Sequence, residues 1–301
     1  MTRPNVDLPA WVNAADDSRT LEFRQAVHTI LYALESLPGA SAWLALKGAV
    51  LLSLRYGFTR MTKDVDLSTF RLYRDFDLKG FLAEFSNALT MATEALPYGL
   101  ACRVQSHKVE PPGHDATYQS LHMKTGYAPK ADARRLQRLM RPDGASTVVT
   151  VDLSFNEPFC NIEILNDGGR VEIPAYALTD FIAEKLRAML QQEVRNRTRP
   201  QDALDLLMLL KRPESRATEF KDRVLSALRT KSEARELSID RHSMRNPQIR
   251  KRSEKDYATL TDQISIELPP FDTAFEAVIR YYESLPWPPD HGSAASSVRK
   301  L

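Results

Sequence analysis

The stretch 45–69, ALKGAVLLSLRYGFTRMTKDVDLST, decides how the rest of the chain is read. Lys47-Gly48 falls at the expected junction of a first strand, 42–46, with a short helix, and Asp64 and Asp66 lie on a second strand beyond that helix. Side chains along a strand alternate between its two faces, so residues two apart share one face and their carboxylates can share a divalent ion. Magnesium suits such a pair, because it takes a few hard oxygen ligands from protein and leaves its other positions to water and substrate phosphate. On the far side of the helix, a glycine at a strand-to-helix junction lets the backbone approach a phosphate and turns free N–H groups toward it. An isolated Asp-x-Asp is more often a solvated strand end. Joined to the glycine turn, to Arg60 and to a second charged cluster further along, it reads as a metal and phosphate site.

That second cluster begins at 177. Leu178, Phe181, Ile182 and Met189 form an apolar helical stripe, and Lys185 falls on the same stripe. A lysine on a buried face needs an anion to offset its desolvation. A triphosphate and a structural carboxylate serve equally well at this level of reading. Arg195, Arg197 and Arg199 follow, then Pro200, which suits the first turn of a helix, and Asp202 and Asp205, which share one face of it. An acid near a helix N-terminus is also favoured by the dipole alone, which is the structural alternative for Asp202.

These two clusters resemble the AbiEii/AbiGii toxin family, which includes the MenT-like toxins, within the polymerase-beta-type nucleotidyltransferase superfamily. The family has a Lys-Gly-Gly-Ser/Thr turn, then Arg-x-Ser/Thr-x-Asp-x-Asp, and later Glu-Lys-x-x-Ala with an Arg-rich turn leading to Asp-x-x-Asp. Here the counterparts are Lys47-Gly48-Ala49-Val50, Arg60-Met61-Thr62-Lys63-Asp64-Val65-Asp66, Glu184-Lys185-Leu186-Arg187-Ala188 and the run from Arg195 to Asp205. The first departs from the pattern: Ala49 still offers a backbone N–H, whereas Val50 has no hydroxyl for a phosphate. The resemblance implies an α/β nucleotidyltransferase fold with a small mixed sheet, followed by a mainly helical C-terminal part. It implies transfer of a nucleoside monophosphate from an NTP to a hydroxyl, with the 3′ end of tRNA as the expected acceptor and a cognate antitoxin as a partner. Small-molecule transfer, protein nucleotidylation and a non-catalytic NTP- or RNA-binding module are the rival readings.

In that reading Asp64 and Asp66 hold magnesium, with manganese as the alternative ion, while Lys47, Gly48, Ala49, Arg60 and Lys185 meet the nucleotide. The resemblance carries an essential role onto Lys185 and Asp202. Such a site usually adds a third carboxylate from a neighbouring strand, because the acceptor hydroxyl must lose a proton near the metal. Asp152, in the strand-like 147–155, is the expected third ligand and base; its alternative is a strand-edge acid paired with a basic residue. Glu163 is the fallback.

The remaining chain sets bounds. With 41 Lys and Arg against 39 Asp and Glu, the protein is no basic nucleic-acid coat, and RNA contact would fall to local patches such as 134–141 or 241–255. Each patch also reads as a solvated face. Cys102 and Cys160 have neither metal-site nor disulfide spacing and are expected to be buried thiols. No apolar run reaches membrane-spanning length and no signal peptide is visible, so the expected location is the cytoplasm. The expected organisation is a nucleotidyltransferase core at 18–175, a helical domain at 176–285, and flexible termini at 1–17 and 286–301. Helices are expected at 21–37, 77–96, 219–228, 258–266 and 272–285, with strands at 100–109 and 117–123.

Overall fold

Strict alternation builds the central sheet. In the segment from 148 to 154, Val149, Val151 and Leu153 are fully buried while Thr150, Asp152 and Ser154 between them are only partly covered. The computed structural model describes residues 3–58, 60, 62–113, 116–168 and 171–289. Among these, seven strands form one mixed sheet: β1 (Ala45–Lys47), β2 (Asp64–Ser68), β3 (Leu100–Glu110), β4 (Ser120–Pro129), β5 (Val148–Ser154), β6 (Ile162–Asn166) and β7 (Glu172–Tyr176). Their spatial order is β3-β4-β5-β2-β1-β7-β6. β2 is thus held between β1, antiparallel to it, and β5, parallel to it.

The helices are α1 (Leu8–Asn13), α2 (Ser18–Glu35), α3 (Gly48–Tyr56), α4 (Leu78–Ala95), α5 (Ala133–Leu139), α6 (Leu178–Leu190), α7 (Pro200–Leu210), α8 (Thr218–Glu233), α9 (Pro247–Glu254) and α10 (Phe271–Glu283). α2 starts where Asp17 accepts the N–H groups of Arg19 and Thr20, and it buries Val27, Ile30, Leu31 and Leu34 beside the sheet. α6 is buried on almost every side, packed between β7 and the helices α7 and α8. The mixed α/β architecture with a helical C-terminal half agrees with the expectation from sequence.

Several local expectations change. Residues 8–13, expected to belong to a flexible arm, form α1: Asp7 caps it, Leu8 and Val12 are buried, and Trp11 donates its indole N–H to Ser53 Oγ at 2.7 Å. A six-residue apolar segment is too short to show a helical period, yet Leu8, Trp11 and Val12 suffice to dock it on the core. Within the basic run 241–255, α9 forms because Asn246 accepts the Gln248 N–H and Pro247 occupies the first turn. The run's arginines are partly committed: Arg245 pairs with Glu283 and Arg250 with Asp272. Residues 257–263 form a 3-10 helix rather than an α-helix. β4 extends to Pro129, since it pairs along its length with β3 and β5. Cys102 is buried but Cys160 is exposed, and both are free. The tail expected to be flexible falls mostly outside the described residues, from 290 onward; before it, Trp287 packs on Tyr282.

Candidate active site

Three neighbouring strands converge on Asp66. Its register partner on β1 is Lys47, and its partner on β5 is Asp152. Cross-strand partners project from the same face, and Asp64 shares that face with Asp66 because it lies two residues away. Asp64, Asp66 and Asp152 therefore lie in a row on one face of the sheet.

The glycine turn closes on this row. Gly48 has φ of +73°, and a Cβ built on it would lie 1.9 Å from Oδ2 of Asp66. Only glycine permits both the left-handed backbone and the approach of the carboxylate. Ala49 and Val50 turn their side chains into the core, so this end of α3 offers only backbone groups and the Lys47 side chain. Lys47 Nζ reaches across β2 to donate to Ser154 Oγ at 3.2 Å.

The electrostatics follow from the crowding. Burial, countered by Lys47 and reinforced by Asp152 and Asp64, pushes the Asp66 carboxyl up to about 6. Burial and the charge of Asp152 also raise Asp64. Acids that repel one another in a partly dry site favour a cation in their midst. Among the described residues no three or more His, Cys, Asp or Glu are gathered as a preformed cage. Magnesium does not require one, since one or two carboxylates with water and substrate phosphate complete its shell. Asp64 and Asp66, two residues apart on one strand face, offer hard carboxylate oxygens of the kind that ion takes.

Lys185 meets two carboxylates. Its ammonium donates to Asp202 Oδ1 at 2.9 Å and to Asp205 Oδ2 at 2.6 Å, with all three residues buried. Burial alone would lower the lysine, but Asp202 and Asp205 outweigh it and hold it raised and charged. Arg60 Nε lies 3.5 Å from Asp205 Oδ1, and Arg199 Nη1 lies 3.8 Å from Asp202 Oδ2. α6 and α7 are thus clamped by charge. Lys185 still acts on the acidic row from a distance, lowering Asp66. Glu163, the fallback acid, lies on β6 away from the row and pairs with Arg55 at 3.0 Å.

One polar partner escapes the sequence. His122 on β4 is the register partner of Asp152, and its Nδ1 lies 2.6 Å from Asp152 Oδ1. Its Nε2 lies 3.8 Å from Glu110 Oε2. A lone histidine in a strand carries no signal until the register of β4 against β5 is known.

The sequence pattern describing the nucleotidyl transferase AbiEii toxin of type IV TA systems matches residues 29–277. No curated protein matches the chain. Among solved structures, JHP933 from Helicobacter pylori is similar at 15% identity and a TM-score of 0.50, covering 89% of this chain and 94% of that one. A second H. pylori structure, described as a candidate nucleotidyltransferase, gives 15% identity, a TM-score of 0.49 and the same coverage. Identity this low bears on the fold alone.

Proposed function

We propose, starting from a chain that belongs to the AbiEii nucleotidyl transferase toxin family of type IV toxin–antitoxin systems, that the protein is a magnesium-dependent transferase. It moves a nucleoside monophosphate from an NTP to the 3′ hydroxyl of tRNA. The observation that supports this most is the single-faced row of Asp64, Asp66 and Asp152 closed by Gly48. Asp64 and Asp66 would hold the ion, with Asp152 beside them; when bound, the ion neutralises charge on the triphosphate and on the departing pyrophosphate.

The protein's own groups do the rest. The acceptor oxygen bonds to the α-phosphorus as the P–O bond toward the β-phosphate breaks, and that electron pair leaves with pyrophosphate. Asp152 takes the hydroxyl proton, held in place by His122. Lys47 supplies positive charge beside Gly48, whose backbone and that of Ala49 face the phosphates. The Lys185–Asp202–Asp205 clamp fixes α6 against α7 and keeps a cation near the acids.

The cognate partner is an antitoxin, and the setting is the cytoplasm. Among the described residues no helix is long and apolar enough to cross a membrane. The test is incubation with each α-labelled NTP, magnesium and total tRNA, beside Asp66→Ala. Labelled tRNA that vanishes in the variant is the expected result. Label on the protein alone, or none in any arm, overturns the reading.

A further inference from the structure

Lys47, the cross-strand partner of Asp66, and Ser154, two residues beyond Asp152, line a cavity of about 590 Å³, counting its solvent mouth, between the sheet and the helical half. Its walls carry six basic side chains, Lys47, Arg187, Arg195, Arg197, Arg199 and Arg235, against two acids, Glu157 and Glu184. Glu184 and Glu157 answer Arg187 and Arg235, Asp202 answers Arg199 and Asp66 faces Lys47, so the charge left over is that of Arg195 and Arg197. The lining is otherwise polar, with Tyr118 and Ala188 its only apolar contributors. An apolar ligand has nothing to bind there.

Two of the arginines are built into the floor. The Arg235 side chain, 7% exposed, donates Nη2 to Glu157 and lies over the Tyr118 ring with Cζ 3.8 Å from its centroid. Its Nε and Nη1 are buried and bond to nothing among the described residues. The Arg187 side chain, 8% exposed, gives Nη1 to Gln191 at 2.7 Å and Nη2 to Glu184, and its Nε is likewise unpartnered. Buried donors without acceptors are costly, and charged ones more so. Arg195 is depressed by burial and then by repulsion from Arg235, Arg187 and Arg197, so the cations of this wall crowd one another.

We infer that this cavity seats the terminal phosphates of the NTP and the pyrophosphate that leaves, with Arg187, Arg195, Arg197 and Arg235 as the phosphate-binding groups. The inference rests on the transfer reaction proposed above, which supplies a triphosphate at the adjoining acidic row. A nucleic-acid backbone carries one charge per phosphate, so a strand spreads its charge along its length rather than gathering it in this small volume. A polyphosphate concentrates several charges in it, and planar guanidinium groups match phosphate oxygens in pairs. The assignment also moves the main cationic contact away from Lys185, whose ammonium is already held by two carboxylates.

The test uses the full chain and inorganic tripolyphosphate in isothermal titration, without acceptor and without turnover. Arg195→Gln/Arg197→Gln is the principal variant, because neither side chain makes an ion pair among the described residues and the fold does not lean on them. The wild type should bind tripolyphosphate, and the double variant should bind at least about tenfold more weakly at an unchanged melting temperature. Asp66→Asn should keep the binding, which separates this site from the catalytic reading. Tripolyphosphate binding in a protein that transfers no nucleotide sinks the proposed function and leaves the anion site standing. Absent binding, or binding equal in the double variant, overturns the site. Loss of single-stranded RNA binding in the double variant with tripolyphosphate affinity unchanged also overturns it, and assigns the arginines to the acceptor.

Discussion

Gly48 and Asp66 are in such close contact that a methyl group on residue 48 would lie 1.9 Å from the carboxylate oxygen Oδ2. The backbone of one residue and the side chain of the other thus share a space that no larger residue can enter. Gly48→Ala adds a strained positive φ to that collision. The variant should lose at least about 1–3 kcal/mol in urea unfolding, and nucleotide transfer should fall far more than stability does. Normal transfer by a folded Gly48→Ala protein would remove the turn from the site.

The raised Asp66 carboxyl gives a pH signature. In the folded metal-free protein it binds its proton up to about 6, whereas unfolded it releases it near the ordinary value of 3.8. The folded state therefore holds the extra proton between those values, and stability contributed by the neutral form is lost as pH rises through about 6. Asp66→Asn should raise the melting temperature at pH 8 by about 2 °C or more and change it little near pH 3.5. For the same reason manganese binding by the wild type should strengthen steeply from pH 5 to 7. A flat profile would show that Asp66 carries no such proton.

Lys185 and Asp205 predict a stability effect that differs from a purely catalytic one. Asp205→Ala leaves Lys185 with one buried partner and deprives Arg60 of its own. Breaking a buried pair from one side costs about 3–5 kcal/mol. Denaturant unfolding should show that loss, and Lys185→Met/Asp205→Leu should recover part of it. Recovery of stability without recovery of transfer would separate the clamp from the chemistry.

His122 holds Asp152 through one hydrogen bond. Removing such a supporting partner typically costs about 10–100-fold in activity or metal affinity. His122→Ala should lower kcat within that range while the KM for nucleotide changes little, and His122→Asn should restore part of the rate. Equal loss in both variants with a matching fall in stability would make the histidine merely structural.

The acidic pair, the glycine turn and the order of most elements were legible in the chain itself. They depend on short-range rules: strand alternation set Asp64 beside Asp66, and a glycine between a strand and a helix announced a close approach. Lys185 was legible only as a lysine needing an anion. Tertiary packing supplies Asp202 and Asp205, because α7 folds back along α6 and delivers both acids to one ammonium. The pairing of Asp152 with His122, and the cavity that unites Arg195 with Arg235, rest on β-strand register and on helix packing. No local pattern encodes those, since a shift of two residues in register would keep every apolar face on the core and still separate the partners.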